Sequence, residues 1–148
     1  MATEDTQPVT ISYVRVALTS VAAFVAYMGT GALMFAVLPM LRDEFRKYPA
    51  VYRGHEGQMN HLPFAMAGIL LAMIALTFLY ARLYRGGSGL AEGSLLGALI
   101  AIFVLGAFVL HSHANLNIGP ALTAYSAVAY CVEWLIAGIV IGLVYRPT

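Results

Sequence analysis

The sequence predicts an all-α integral membrane protein, an up-down-up-down bundle of four transmembrane helices. Hydrophobic residues make up 61% of its 148 residues and charged residues only 10%, with a mean hydropathy of +0.81. A soluble domain carries charge on about 25% of its residues. Four apolar runs are long enough to cross a bilayer as helices. Together they indicate a single domain, residues 1–148, with helices at about 16–38, 62–83, 90–110 and 119–144.

The first predicted helix, residues 16–38, follows a polar start and is stopped by Pro39. We interpret it as a transmembrane helix, because a cleaved signal peptide has a basic start and a shorter apolar core. Ser20, Tyr27, Gly31 and Met34 follow one another at spacings of seven, four and three residues and so share one face of this helix. We expect that face to turn inward.

The connection after it, residues 41–60, is the longest in the chain and alternates aromatic with basic side chains. Such a segment either lies partly in the headgroup region or forms an ordinary loop outside the membrane. Pro49, Gly54 and Gly57 argue against one continuous helix there.

The second predicted helix, residues 62–83, has Pro63 in its first turn, where no intrahelical N–H bond is lost. The connection to the third helix, residues 85–89, is short and rich in glycine. We therefore expect the second and third helices to be antiparallel neighbours.

The third predicted helix, residues 90–110, begins with a face of small residues. They recur at four-residue steps as Gly89, Gly93, Gly97 and Ala101. A face of this kind lets two helix backbones approach closely. Its partner is the fourth helix, the second helix or another copy of the chain.

Glu133 lies near the middle of the fourth predicted helix, residues 119–144. A carboxyl group at that depth costs about 3 kcal/mol, so it should face the other helices. Ser126 and Tyr130 share its face, and Tyr27 lies at a similar depth. Because no Lys or Arg occurs there, we expect a neutral Glu133, hydrogen-bonded to Tyr130, Tyr27 or a trapped water. It is either a hydrogen-bonded tie between helices, a site for a proton, ion or ligand, or a contact to a partner subunit.

The four histidines fall on the same side of the predicted bundle. His55 and His61 precede the second helix, and His111 and His113 follow the third. Imidazole is a common ligand of zinc, copper and haem iron. His61, His111 and His113 are therefore candidate ligands of a metal or haem, although their spacing matches no known ligand motif. The alternative is a solvated polar rim.

Basic residues are shared evenly, with four on the side of the termini and four on the other side. The uncharged connection at residues 111–117 would cross the membrane easily, so we expect both termini in the cytoplasm. A net charge of +1 offers no electrostatic footprint for nucleic acid. The expected partners are the lipid bilayer and either further copies of the chain or a larger membrane complex.

Short motifs are spread over nearly the whole chain. They are Tyr52 and Arg53 with Glu56 and Met59, Leu90 to Gly93 with Gly97, Glu133, and Gly138, Gly142, Tyr145, Arg146 and Pro147. In these positions the chain resembles a group of small four-helix bacterial inner-membrane proteins of unknown function. The resemblance implies a four-helix fold in a bacterial inner membrane, with Glu133 and Glu92 as positions of interest.

The leading hypothesis is a non-enzymatic membrane protein. It is either a bundle that handles a small ligand or protons, or an accessory subunit of a membrane complex. The second hypothesis is a haem- or metal-binding redox subunit that uses the histidines. The third is a membrane enzyme, for which the sequence shows no recognisable pair of nucleophile and base.

Overall fold

The computed structural model describes residues 11–145 and shows an all-α protein, without strands among those residues. Its helices are α1 (Tyr13–Val37), α2 (Pro39–Arg46), α3 (His55–Leu83), α4 (Gly89–Asn115) and α5 (Pro120–Val144). All but α2 are long and apolar enough to cross a membrane, which confirms the four-helix fold. The polar start of the chain, Arg146 and Pro147 lie outside the described residues.

The last helix, α5, is the central element of the bundle. It packs against both α1 and α4, while α3 packs mainly on α1. Eight residues of α5 are buried, against five of α1 and four of α3. The other long helices therefore present more of their apolar surface to lipid than α5 does.

α3 and α4 hardly pack along their lengths, although only residues 84–88 separate them. The expectation that they pack as neighbours is wrong. A short connection, here turning at Gly86 with φ +79°, brings two helix ends together at one membrane face only. Side-chain packing determines which helices are neighbours along their lengths. The small-residue face of α4 packs against α5, whereas α3 packs against α1.

α3 begins at His55, so Pro63 lies inside the helix. The prediction of a first-turn proline is wrong because the polar residues before the apolar run already form about two helical turns. Gly54, in an extended conformation, is the N-cap. Pro63 removes a single backbone donor, a loss that transmembrane helices tolerate.

α4 continues to Asn115, beyond the expected end at residue 110. His111 and His113 therefore lie on its last turn, and the loop is confined to residues 116–119. The extension follows a π-helical turn, Leu105–Leu110, and the Asn115 side chain donates to the His111 carbonyl at 2.8 Å. A π turn contains one more residue than an α-helical turn. It therefore interrupts the 3.6-residue period of apolar side chains from which the C-terminal end of this helix was predicted.

The connection between α1 and α3 is ordered by α2 and the turn after it. α2 lies against α5, with Leu41 almost fully buried at 2% exposure. The Gly119 N–H donates to the Tyr48 hydroxyl at 2.9 Å, which fastens the connection to the start of α5. This end of the bundle, where α1 ends and α3 and α5 begin, is called the loop end below.

α4 and α5 meet backbone to backbone through glycines. A Cβ atom added to Gly93 would lie 2.5 Å from the Gly138 carbonyl oxygen, and one added to Gly97 would lie 2.8 Å from the Leu135 carbonyl oxygen. Gly89 contacts Gly142 in the same way, and Ala101 is buried one turn further along. The partner of the small-residue face is therefore α5, and a side chain at Gly89, Gly93 or Gly97 would push the helices apart.

Candidate functional site

The Glu133 carboxyl group is buried between α5 and α1. Its residue is 7% exposed, and Gly31 of α1 lies directly against it. A Cβ atom added to Gly31 would lie 2.7 Å from Glu133 Oε1. The missing side chain at Gly31 therefore makes the room that the carboxyl group occupies.

Tyr27, one turn before Gly31 on α1, is the polar neighbour of this carboxyl group. Its hydroxyl lies beside the Glu133 carboxyl group, close enough for the two to interact. The Tyr27 ring packs on Trp134 with the ring centroids 5.0 Å apart. The buried Trp134 Nε1 has no hydrogen-bond partner within residues 11–145. Tyr27 is thus held in place by the residue next to Glu133.

Ser126 and Tyr130 line a cavity of about 190 Å³ on the loop-end side of Glu133. Tyr130 is close enough to Glu133 to interact with it electrostatically, and it also lines the cavity. Phe108 packs edge-on against the Tyr130 ring at 5.6 Å between centroids. Ser126, Tyr130 and Glu133 thus form a polar stripe that runs from the cavity into the bundle.

The other walls of the cavity come from the π turn of α4 and from the α1–α3 connection. Phe108 and Val109 belong to the π turn, and Phe45 and Tyr52 close the side toward α2. Burial raises the pKa of the Tyr52 phenol. π turns are frequent at functional sites because they displace side chains from the regular helical positions. Sequence reasoning missed this cavity, since its walls are distant in sequence and carry no motif.

No basic side chain among residues 11–145 forms an ion pair with Glu133. Among residues 11–145 the ion pairs join Arg42 to Asp43, Arg46 to Asp43 and Lys47 to Glu44, all of them on α2 or next to it. A charged carboxylate in the bundle would therefore have only dipoles around it, which is costly at membrane depth. The site can hold a proton, or it can accept a cation that brings its own charge.

The histidines are held in separate contacts. His61 accepts from Arg53 Nη1 at 2.9 Å, while His113 Nδ1 contacts the Thr123 hydroxyl at 2.8 Å. His111 is exposed on α4. Within the part of the chain that the structure describes, no group of three or more His, Cys, Asp and Glu side chains is placed to hold a metal ion. A metal or haem site at His61, His111 and His113 stays a prediction.

Glu92 forms a second polar cluster at the opposite end of the bundle. The Tyr80 hydroxyl donates to Glu92 Oε2 at 3.2 Å, and the Gly87 N–H donates to Oε1 at 3.0 Å. The carboxylate thus ties the turn between α3 and α4 to both helices. Tyr80 lies twelve residues before Glu92, and the glycine-rich connection between them was the only sequence signal for this contact.

Comparisons with protein-family models, with curated proteins and with solved structures found no match for this chain.

Proposed function

We propose that the chain is a non-enzymatic integral membrane protein that takes up a proton or a small cationic ligand at Glu133. The observation that supports this proposal is the position of the carboxyl group. Glu133 is buried against Gly31 and Tyr27, has no basic partner among the described residues, and adjoins a cavity through Tyr130. Intramembrane carboxyl groups of this kind are typical of proton and ion pathways.

The residues around Glu133 have separable roles in this proposal. The cavity admits the proton or cation from the loop end, and the Ser126 and Tyr130 hydroxyls offer polar positions on the way. Tyr27 donates to the carboxylate when it is ionised and accepts from the carboxyl group when it is protonated. Because Gly31 has no side chain, it leaves space for the carboxyl group in both its protonated and its ionised form.

We also propose that the protein lies in a bacterial inner membrane with both termini in the cytoplasm. The resemblance described above supports the location. The orientation is supported by the uncharged loop at residues 116–119, which costs little to translocate. Reporter fusions to the C-terminus, one active only in the cytoplasm and one only outside it, test the orientation.

The proposed role of Glu133 is tested by infrared difference spectroscopy on the protein in lipid vesicles. A step from acid to alkaline buffer should remove a protonated carboxyl band, and Glu133→Gln should lack that band. Tyr130→Phe should keep the band and slow its response. If the Glu133 band persists unchanged across the titration and no added monovalent or organic cation alters it, the carboxyl group is only a tie between helices and the proposal fails.

A further inference from the structure

A second hollow, of about 470 Å³, opens at the loop end between the end of α1, α2 and the start of α3. Arg42 and Arg46 line it from α2, and Arg53 lines it from the segment before α3. His55 and Gln58 add further polar groups, and no lining residue is acidic. Guanidinium groups from two separate segments therefore converge on one concave surface.

The positive charge of this hollow is only partly compensated. Arg42 and Arg46 share the single carboxylate of Asp43, at 3.9 and 3.6 Å, and Asp43 is 57% exposed and does not line the hollow. Arg53 donates to the His61 ring and forms no ion pair within residues 11–145. Solvent-exposed ion pairs at such distances contribute little stabilising free energy. The guanidinium groups are thus available to an incoming anion.

The N-terminus of α3 adds to the positive electrostatic potential of the hollow. Gly54, its N-cap, lines the hollow and supplies no side-chain cap, so the first N–H groups of a 29-residue helix lie at the hollow's edge. Glu56 in the first turn does not line the hollow. A helix N-terminus favours an anion, and here it supports the arginine cluster.

The remaining wall is aromatic. Phe45 packs against Phe35 with ring centroids 5.7 Å apart and against Tyr52, edge to face, at 4.9 Å. All three rings line the hollow. An arginine-rich rim over aromatic rings, at the end of transmembrane helices, suits a ligand with a charged head and an apolar remainder.

We propose that this hollow binds a phosphate monoester group at the membrane surface, held by Arg42, Arg46 and Arg53. Guanidinium groups bind phosphate oxygens through paired, charge-assisted hydrogen bonds. Three arginines without a lining carboxylate favour a doubly charged monoester over a zwitterionic headgroup. The phosphate belongs either to an anionic phospholipid or to a soluble phosphate ester, and the chemistry of recognition is the same for both.

The test measures thermal unfolding of the full chain in detergent, with four added probes. These are short-chain phosphatidic acid, phosphatidylcholine of the same chain length, inorganic phosphate and glycerol 3-phosphate. Phosphatidic acid should raise the melting temperature and phosphatidylcholine should not. Stabilisation by phosphatidic acid alone identifies a lipid site, whereas stabilisation by the soluble phosphates as well identifies a site for the phosphate group itself.

Variants decide whether the effect belongs to this hollow. Arg46→Gln and Arg53→Gln should each weaken binding of the stabilising probe by roughly tenfold, which is the loss of one charge-assisted contact. Arg53→Lys should lose part of the affinity, since lysine keeps the positive charge but lacks the planar guanidinium group that donates two parallel hydrogen bonds to a phosphate. Arg85→Gln, at the opposite end of the bundle, should bind as the wild type does.

Each of the other outcomes counts against the proposal. Equal affinity in Arg53→Gln and wild type would overturn it, provided that the variant unfolds at the wild-type temperature without a probe. An equal loss in Arg85→Gln would show only a general attraction of anions to a basic surface. Absence of any stabilisation by the four probes would also overturn it.

Discussion

Gly31 of α1 lies directly against the carboxyl group of Glu133 on α5, at a distance that leaves no room for a methyl group. A Cβ atom there would lie 2.7 Å from Glu133 Oε1. The position of the carboxyl group thus depends on the absence of a side chain on the neighbouring helix. At this contact between α1 and α5, the glycine leaves the space that the carboxyl group fills.

Gly31→Ala should lower the free energy of unfolding by about 1–3 kcal/mol, because the added methyl group displaces a buried carboxyl group. It should also change the infrared band of Glu133. Gly29→Ala is the matched control, since nothing lies within 4 Å of a Cβ atom at that position on the same helix. Equal melting temperatures for the two variants would contradict the close contact.

Gly97→Ala should separate α4 from α5 and cost about 1–3 kcal/mol, because a Cβ atom there would meet the carbonyl oxygens of Trp134 and Leu135, each at 2.8 Å. Gly97→Leu should be worse and should change the cross-linking between α4 and α5. Gly68→Ala on α3, where a Cβ atom meets open space, serves as the control. Unchanged detergent melting of Gly97→Leu would show that the glycine contact carries no stability.

Glu133→Gln and Glu133→Leu separate a structural role from a functional one. Gln keeps a polar partner for the Tyr27 hydroxyl, so its melting temperature should stay near that of the wild type. Leu leaves that hydroxyl unpaired in a dry site and should cost about 1–3 kcal/mol. Thermal unfolding of both variants in the same lipid or detergent makes the comparison. A Gln variant as unstable as the Leu variant would mean that the stability requires the carboxyl group itself.

Tyr52 should make stability depend on alkaline pH. Burial raises the pKa of its phenol above the ordinary value of about 10. The folded chain therefore holds this proton more tightly than the unfolded chain does. The resulting contribution is complete below the unfolded pKa and is lost as pH rises through the folded pKa.

The measurement is unfolding in denaturant at a series of alkaline pH values. Tyr52→Phe should lose stability less steeply than the wild type over that range, whereas Tyr13→Phe, at a residue that is 74% exposed, should follow the wild type. Parallel curves for all three proteins would show that Tyr52 is not buried in solution.

The sequence predicted the parts of this site that follow from helical period and depth. The mid-run position of Glu133 and the four-residue spacing of Gly89, Gly93 and Gly97 each depend on one helix alone. The contact of Gly31 with Glu133 depends on the relative rotation of two helices, which no single run of sequence specifies. The π turn Leu105–Leu110 was likewise not predicted, because its apolar residues carry no sequence signal that distinguishes a π turn from a regular helical turn.

Helix order was the least accessible feature from sequence. The short connection at residues 84–88 limits the distance between two helix ends, and it says nothing about which faces fit. The faces of α4 and α5 fit because Gly138 and Gly142 stand opposite the glycines of α4. That complementarity requires residues of both helices. It makes α4 pack against α5 and not against α3, the helix that precedes it in the sequence.

The central place of α5 has a consequence for biosynthesis. A chain emerges from the ribosome with its N-terminal segments first. Since α5 is made after α1, α3 and α4 and packs against both α1 and α4, the earlier helices enter the bilayer before their shared partner exists. Until then α1 and α3 can pair, while α4 has lipid on its glycine face. The four-helix bundle is therefore completed only after synthesis of α5, and a chain truncated before residue 120 would leave the α1–α3 pair beside an unpaired α4.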